Sequence, residues 1–142
     1  MSAAPAVRSL VLVLGDQLDA DSSALDGFDP KRDVIWMAEV AEESEHVWTS
    51  QPRIAVFLAD MRHFRDAQEK LGRKVNYTEL DAAGNTQTLA GELARTLAKV
   101  RPERLVMTEA GEWRVQAAMT AAAQAAALPL EVRDDRHFFQ TR

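Results

Sequence analysis

LVLVLGDQL, residues 10–18, decides how this chain folds. Five apolar residues in succession read as a strand buried on both faces, the form strands take in a parallel sheet covered on each side. The run ends on Gly15 and passes at once to Asp16 and Gln17. That handover puts polar side chains where the carboxyl end of a buried strand opens onto a ligand crevice.

Working outward, VIWMA at 34–38 is a second continuous apolar run. From 50 to 72 the residues Ile54, Phe57, Leu58, Met61, Phe64 and Leu71 recur at helical intervals, with Ser50 as N-cap, Pro52 in the first turn and Gly72 as the stop. The short run IAVFLA inside this segment has strand character, but the helical period continues through it. KVNYTEL at 74–80 alternates toward a strand. Leu89, Leu93, Leu97 and Val100 then share one helical face over 86–100, which Pro102 closes. RLVMTE at 104–109 is a fourth strand, 113–127 an Ala-rich helix with Val115, Met119 and Ala122 or Ala123 facing one way, and 130–133 a fifth strand. Strands alternating with helices predict an α/β fold, a Rossmann-like open sheet of five parallel strands with helices on both faces.

A chain of 142 residues has the length of one domain and buries about 70% of its unfolded surface. Its 46% hydrophobic and 27% charged residues belong to a soluble globular protein, expected in the cytoplasm. The organisation expected is a flexible Ala/Pro-rich leader over 1–8, one α/β domain over 9–134, and a short tail over 135–142. Cysteine is absent, which removes disulfides, thiolate metal sites and cysteine nucleophiles. The net charge of −5, with Lys and Arg scattered among acids, argues against a nucleic-acid surface on this domain. In the tail, Phe138 and Phe139 stand near the chain end with little left to cover them, as expected of a chain cut from a longer protein or of a partner surface.

The crevice candidates follow from the strand ends. They are Gly15, Asp16 and Gln17 after the first strand, Glu39, Glu42 and Glu43 after the second, and Thr108, Glu109, Gly111, Glu112 and Trp113 after the fourth. Asp16 and Gln17 have the groups to bond a polar ring or a polyol chain, while Asp16 equally suits capping of the next turn. An acidic loop without further glycines opposes phosphate binding. Among the acids at 39–45, helix-dipole and solvent-facing roles account for most. Glu39 is the exception, because it directly follows a buried strand, and Glu39 with Glu43 has the spacing of a weak divalent-cation pair. Trp113, at a strand-to-helix turn, best suits stacking on a flat ligand. His63 reads as structural or solvent-facing, and the three histidines assemble no Ser-His-Asp arrangement.

Taken together, GDQL (15–18), MAEVAEES (37–44), FLADMRHF (57–64), TEAGEWRV (108–115) and DDRHFF (134–139) resemble the N-terminal region of the deoxyribodipyrimidine photolyase-related family, the bacterial (6-4) photolyases and iron-sulfur cryptochromes. The resemblance implies an antenna domain for 6,7-dimethyl-8-ribityllumazine, its crevice lined by Gly15, Asp16, Gln17, Glu39, Glu43, Glu109 and Trp113. It further implies a helical C-terminal domain, absent from this chain, that carries FAD, an iron–sulfur cluster and the damaged-DNA site. The tail at 135–142 would then begin the linker to that domain, and the chain alone would not be catalytic. Light-dependent repair of pyrimidine (6-4) photoproducts and blue-light signalling are both implied for the whole protein. Two other readings compete on residue types alone. One is a small flavodoxin-like enzyme using Asp16, Glu39 and Glu109 around a metal, the other a scaffold that docks a partner through DRHFF.

Overall fold

A computed structural model describes residues 7–15, 17–19, 22–41 and 51–134, with backbone only for 51–54. Five parallel strands, β1 (Ser9–Leu12), β2 (Asp33–Ala38), β3 (Lys74–Thr78), β4 (Arg104–Thr108) and β5 (Leu130–Arg133), form one sheet in the order β3-β2-β1-β4-β5. The apolar run that opens the chain is therefore the central strand. Its alternation divides the core in two. Leu10, Leu12 and Leu14 join Trp36, Leu105 and Met107 on one face, while Val11 and Val13 join Ile35, Met37 and Val106 on the other. A two-residue period in a strand buried on both sides produces this split directly.

Among the described residues three helices supply the covering layers: α1 (Gln51–Lys70), α2 (Leu89–Lys99) and α3 (Trp113–Ala125). On the valine face α1 lays Met61 and Phe64 on the sheet, and on the leucine face α2 and α3 contribute Leu89, Leu93, Met119 and Ala123. Gly72, at φ 83°, ends α1 in the left-handed conformation that L side chains avoid. Leu71, expected on the buried stripe, lies beyond the last turn and is exposed. Thr88 caps α2 by accepting from the Gly91 amide at 3.0 Å, so that helix begins at Leu89 rather than 86. Trp36 spans the core and donates from Nε1 to Thr96 Oγ1 of α2 at 2.9 Å. None of the described helices is long and apolar enough to cross a membrane.

One element departs from the expected alternation. Between β1 and β2 the described residues form a single 3-10 turn, Ser23–Leu25, instead of a helix. Ala24 and Leu25 of that turn are buried on the valine face, doing with two side chains what a crossover helix would do with one stripe. Of the expected leader, residues 1–6 lie outside the described residues, while Arg8 is locked to the fold. Its Nε donates to Asp33 Oδ1 at 2.9 Å and its backbone amide to the Arg32 carbonyl at 2.7 Å. The expected tail at 135–142 lies outside the described residues.

Candidate functional site

The order β3-β2-β1-β4-β5 reverses its direction of growth between β1 and β4. In open parallel sheets ligands bind beyond the strand carboxyl ends at such a reversal. Gly15 turns the chain there. A Cβ on Gly15 would stand 2.3 Å from Cζ of Phe57, so a bare α-carbon is what lets the loop lie against the α1 ring. Two residues on, the Gln17 amide reaches across the reversal and donates from Nε2 to the carbonyls of Glu109 at 3.0 Å and Thr108 at 3.3 Å.

A chain of hydroxyls closes the same point from the valine face. Thr108 Oγ1 lies 2.8 Å from Ser22 Oγ and 3.0 Å from Ser23 Oγ, and it accepts from the Ala24 amide at 3.1 Å. Ser23 donates to the Asp134 carbonyl at 2.6 Å. With that direction fixed, Ser23 Oγ receives the Thr108 proton and Thr108 accepts the Ser22 proton, so each hydroxyl donates once. Arg133 ties the turn down further, with Nη1 donating to the carbonyls of Ser23 at 2.8 Å and Asp26 at 2.9 Å. The crevice at the reversal is thus narrowed by the protein's own 3-10 turn.

Glu39 sits one step across the sheet and is fully buried. Its carboxylate accepts from Arg62 Nε at 2.7 Å, Arg62 Nη2 at 2.9 Å, the Leu80 amide at 2.8 Å and the Tyr77 hydroxyl. Burial favours the neutral acid, yet the Arg62 fork, the Tyr77 hydroxyl and the Leu80 amide outweigh it and hold the carboxyl below its ordinary range. Burial and the same carboxylate push the Tyr77 phenol up. Arg65 stacks on the Tyr77 ring, 4.7 Å from its centroid. This closed knot fastens the carboxyl ends of β2 and β3 to α1.

The sequence-derived residues therefore fall into separate groups. Gly15, Gln17 and the Glu109 backbone meet at the reversal, while Glu39 faces α1 and β3. The Glu109 side chain is exposed, and Trp113, the first residue of α3, is 77% exposed. Asp16 and Glu43 lie outside the described residues, as do Glu42, His137, Phe138 and Phe139. His63 is exposed on α1, and Met61 and Met107 are core. Arg62, Tyr77, Asn85 and Gln87 were not singled out from the sequence. The one signal for Arg62 was its place in FLADMRHF, a charged residue beside the buried Met61 on the helix facing Glu39.

The family model described as deoxyribodipyrimidine photo-lyase-related protein matches residues 11–142. The chain belongs to this photolyase-related family. A relative described as "(6-4) photolyase" from Agrobacterium fabrum (strain C58 / ATCC 33970) is 39% identical over 135 residues, 95% of this chain. The chain spans 27% of the length of that relative. All the photolyase-related motifs in the described residues lie at or beside strand carboxyl ends, except FLADMRHF, which supplies Phe57 and Arg62 from α1. The donor set of this photolyase-related chain discriminates between cofactors. With no cysteine it offers no thiolate to an iron–sulfur cluster, which does not fit here. Gln17 is anchored through its amide nitrogen, and its Oε1 accepts nothing from the described residues.

Proposed function

We propose that this chain is an antenna-chromophore domain that binds 6,7-dimethyl-8-ribityllumazine at the sheet's carboxyl edge. Bound there, the chromophore would absorb near-ultraviolet or blue light and pass the excitation to a flavin. The flavin, an iron–sulfur cluster and damaged DNA belong to a helical domain of the same protein, which serves light-dependent repair of (6-4) photoproducts or blue-light signalling. The observation that carries this reading is the meeting of GDQL with the first two residues of TEAGEWRV across the β1–β4 reversal, joined by Gln17. Gln17 Oε1 and Asp16 are assigned to the ribityl hydroxyls, and Glu43, Glu109 and Trp113 to the rim. Glu39 acts one step back. Its oxygens are filled by Arg62, Tyr77 and Leu80, so it supports the wall without touching the ligand.

A metal-dependent enzyme built on Asp16, Glu39 and Glu109 has less in its favour. Glu39 has already spent its lone pairs on nitrogen and hydroxyl donors, and the described residues contain no group of three or more His, Asp or Glu suited to one ion. The test is a titration of the 142-residue chain with the lumazine, followed by absorption and fluorescence. Saturable spectral change, weakened by Gln17→Ala, supports the reading. Unchanged spectra up to about 1 mM ligand overturn it.

A further inference from the structure

Gln87 is a non-glycine residue in the left-handed backbone region, at φ 68°. A glutamine rarely adopts this conformation unless its surroundings impose it, and such residues gather where a structure needs a fixed shape. Every polar group of Gln87 apart from its own carbonyl is used. Its amide donates to Asn85 Oδ1 at 2.7 Å, its Nε2 donates to the Leu80 carbonyl at 2.9 Å, and its Oε1 accepts from the Ala41 amide at 2.8 Å. Asn85 completes the clasp by donating from Nδ2 to the carbonyls of Glu39 and Glu79, both at 2.9 Å.

The consequence is positional. Beyond Ala38 the chain leaves the sheet, and the bond from the Glu39 amide to the Thr78 carbonyl is its last contact of ladder type. From there the backbone on both sides of Val40 is held by two side chains of the β3–α2 loop. Val40 itself is buried against the leucine-face core, which fixes the other side of the same segment. We infer that Gln87 is a positioning residue for the antenna pocket: its left-handed backbone aims a side chain that sets the course of the chain as it leaves β2 at Ala41. This rests on the antenna reading, since the β2 exit lies at the same carboxyl edge of the sheet to which the lumazine is assigned.

Two variants of the 142-residue chain test it. Gln87→Gly relieves the left-handed backbone while deleting both side-chain bonds, so stability and positioning separate. The expected result is a melting temperature close to wild type, faster hydrogen exchange at the Ala41 amide, and 6,7-dimethyl-8-ribityllumazine bound about tenfold more weakly with an unchanged absorption maximum. Gln87→Glu keeps the acceptor for Ala41 and should restore its protection and part of the affinity. Wild-type affinity in Gln87→Gly, or a loss no larger than the loss of stability explains, overturns the inference and leaves the antenna reading standing. If wild type itself binds no lumazine, the antenna reading falls, and with it the assignment of Gln87 to a lumazine pocket. Exchange at Ala41 still reports whether Gln87 holds the β2 exit.

Discussion

Replacing Glu39 with glutamine keeps the side-chain shape and removes the charge from the centre of the β2–β3 knot. The carboxylate accepts four hydrogen bonds, and an amide has one acceptor oxygen and one NH2 with which to meet the same four donors. The best arrangement puts the oxygen toward the Leu80 amide and Arg62 Nη2. The NH2 then faces the Tyr77 hydroxyl, which can rotate to accept, and Arg62 Nε–H, which cannot. Hydrogen bonds to a charged partner contribute about 1.5–3 kcal/mol and neutral ones about 0.5–1.5, so the Leu80 and Tyr77 bonds each lose roughly 1 kcal/mol. The Arg62 side chain is 41% exposed and can rehydrate, which limits its share to roughly 0.5–1 kcal/mol. The expected loss is about 3 kcal/mol near neutral pH, a fall of about 10 °C in melting temperature for a domain of this size. Because the folded Glu39 carboxyl titrates below its ordinary 4.5, its stabilisation is present above that value and disappears as pH falls through the folded value. The gap between wild type and Glu39→Gln should therefore be widest near neutral pH and close in acid. Asp33 and Glu92, also held low, are common to both proteins and cancel in the difference. Thermal melts followed by circular dichroism across that range decide the matter. A neutral-pH gap under about 0.5 kcal/mol, or a gap that stays constant into acid, would refute the reasoning.

Two further substitutions probe the β1–β4 reversal. Gly15→Ala should cost about 1–3 kcal/mol through overpacking against Phe57, seen as a lower urea midpoint. In a double-mutant cycle, Phe57→Leu should absorb most of that cost, and strict additivity would show that the ring is not the obstacle. Thr108→Val preserves shape but strips the shared partner from Ser22, Ser23 and the Ala24 amide, for an expected loss of about 2 kcal/mol. An unchanged unfolding free energy would mean that water replaces the hub.

The sheet was legible because its central strand opens an unbroken apolar run from Leu10 to Leu14, and only burial on two faces makes that stable. The helices were legible from period and caps, with ends displaced where a side chain intervened, as Thr88 does for α2. The missing crossover helix was not. Residues 22–33 bury their backbone through hydroxyls of Ser22, Ser23 and Thr108 and through Arg133, partners that lie from 85 to 110 positions apart in registers no local pattern reveals. At the site, Gly15 and Gln17 were readable as strand-end residues, since that inference needs only β1. Gln87 was not, because its role depends on a backbone angle that glutamine does not advertise.

Glu39 marks the boundary between the two kinds of knowledge. An acid directly after a buried strand announces that a counter-charge must exist, because an unpaired carboxylate in that position costs several kcal/mol. Finding the counter-charge takes topology. Once β2 and β3 are neighbours in parallel, the register Met37↔Tyr77 and Ala38↔Thr78 brings Tyr77 and the chain around Leu80 to the end of β2. The crossover helix between those two strands must then pass over them, and among its described side chains Arg62 reaches back to Glu39 and Arg65 to the Tyr77 ring. The same logic separates support from contact. A carboxylate saturated by four donors of its own chain has no acceptor capacity left for another partner, whereas Gln17 Oε1 accepts nothing from the described residues.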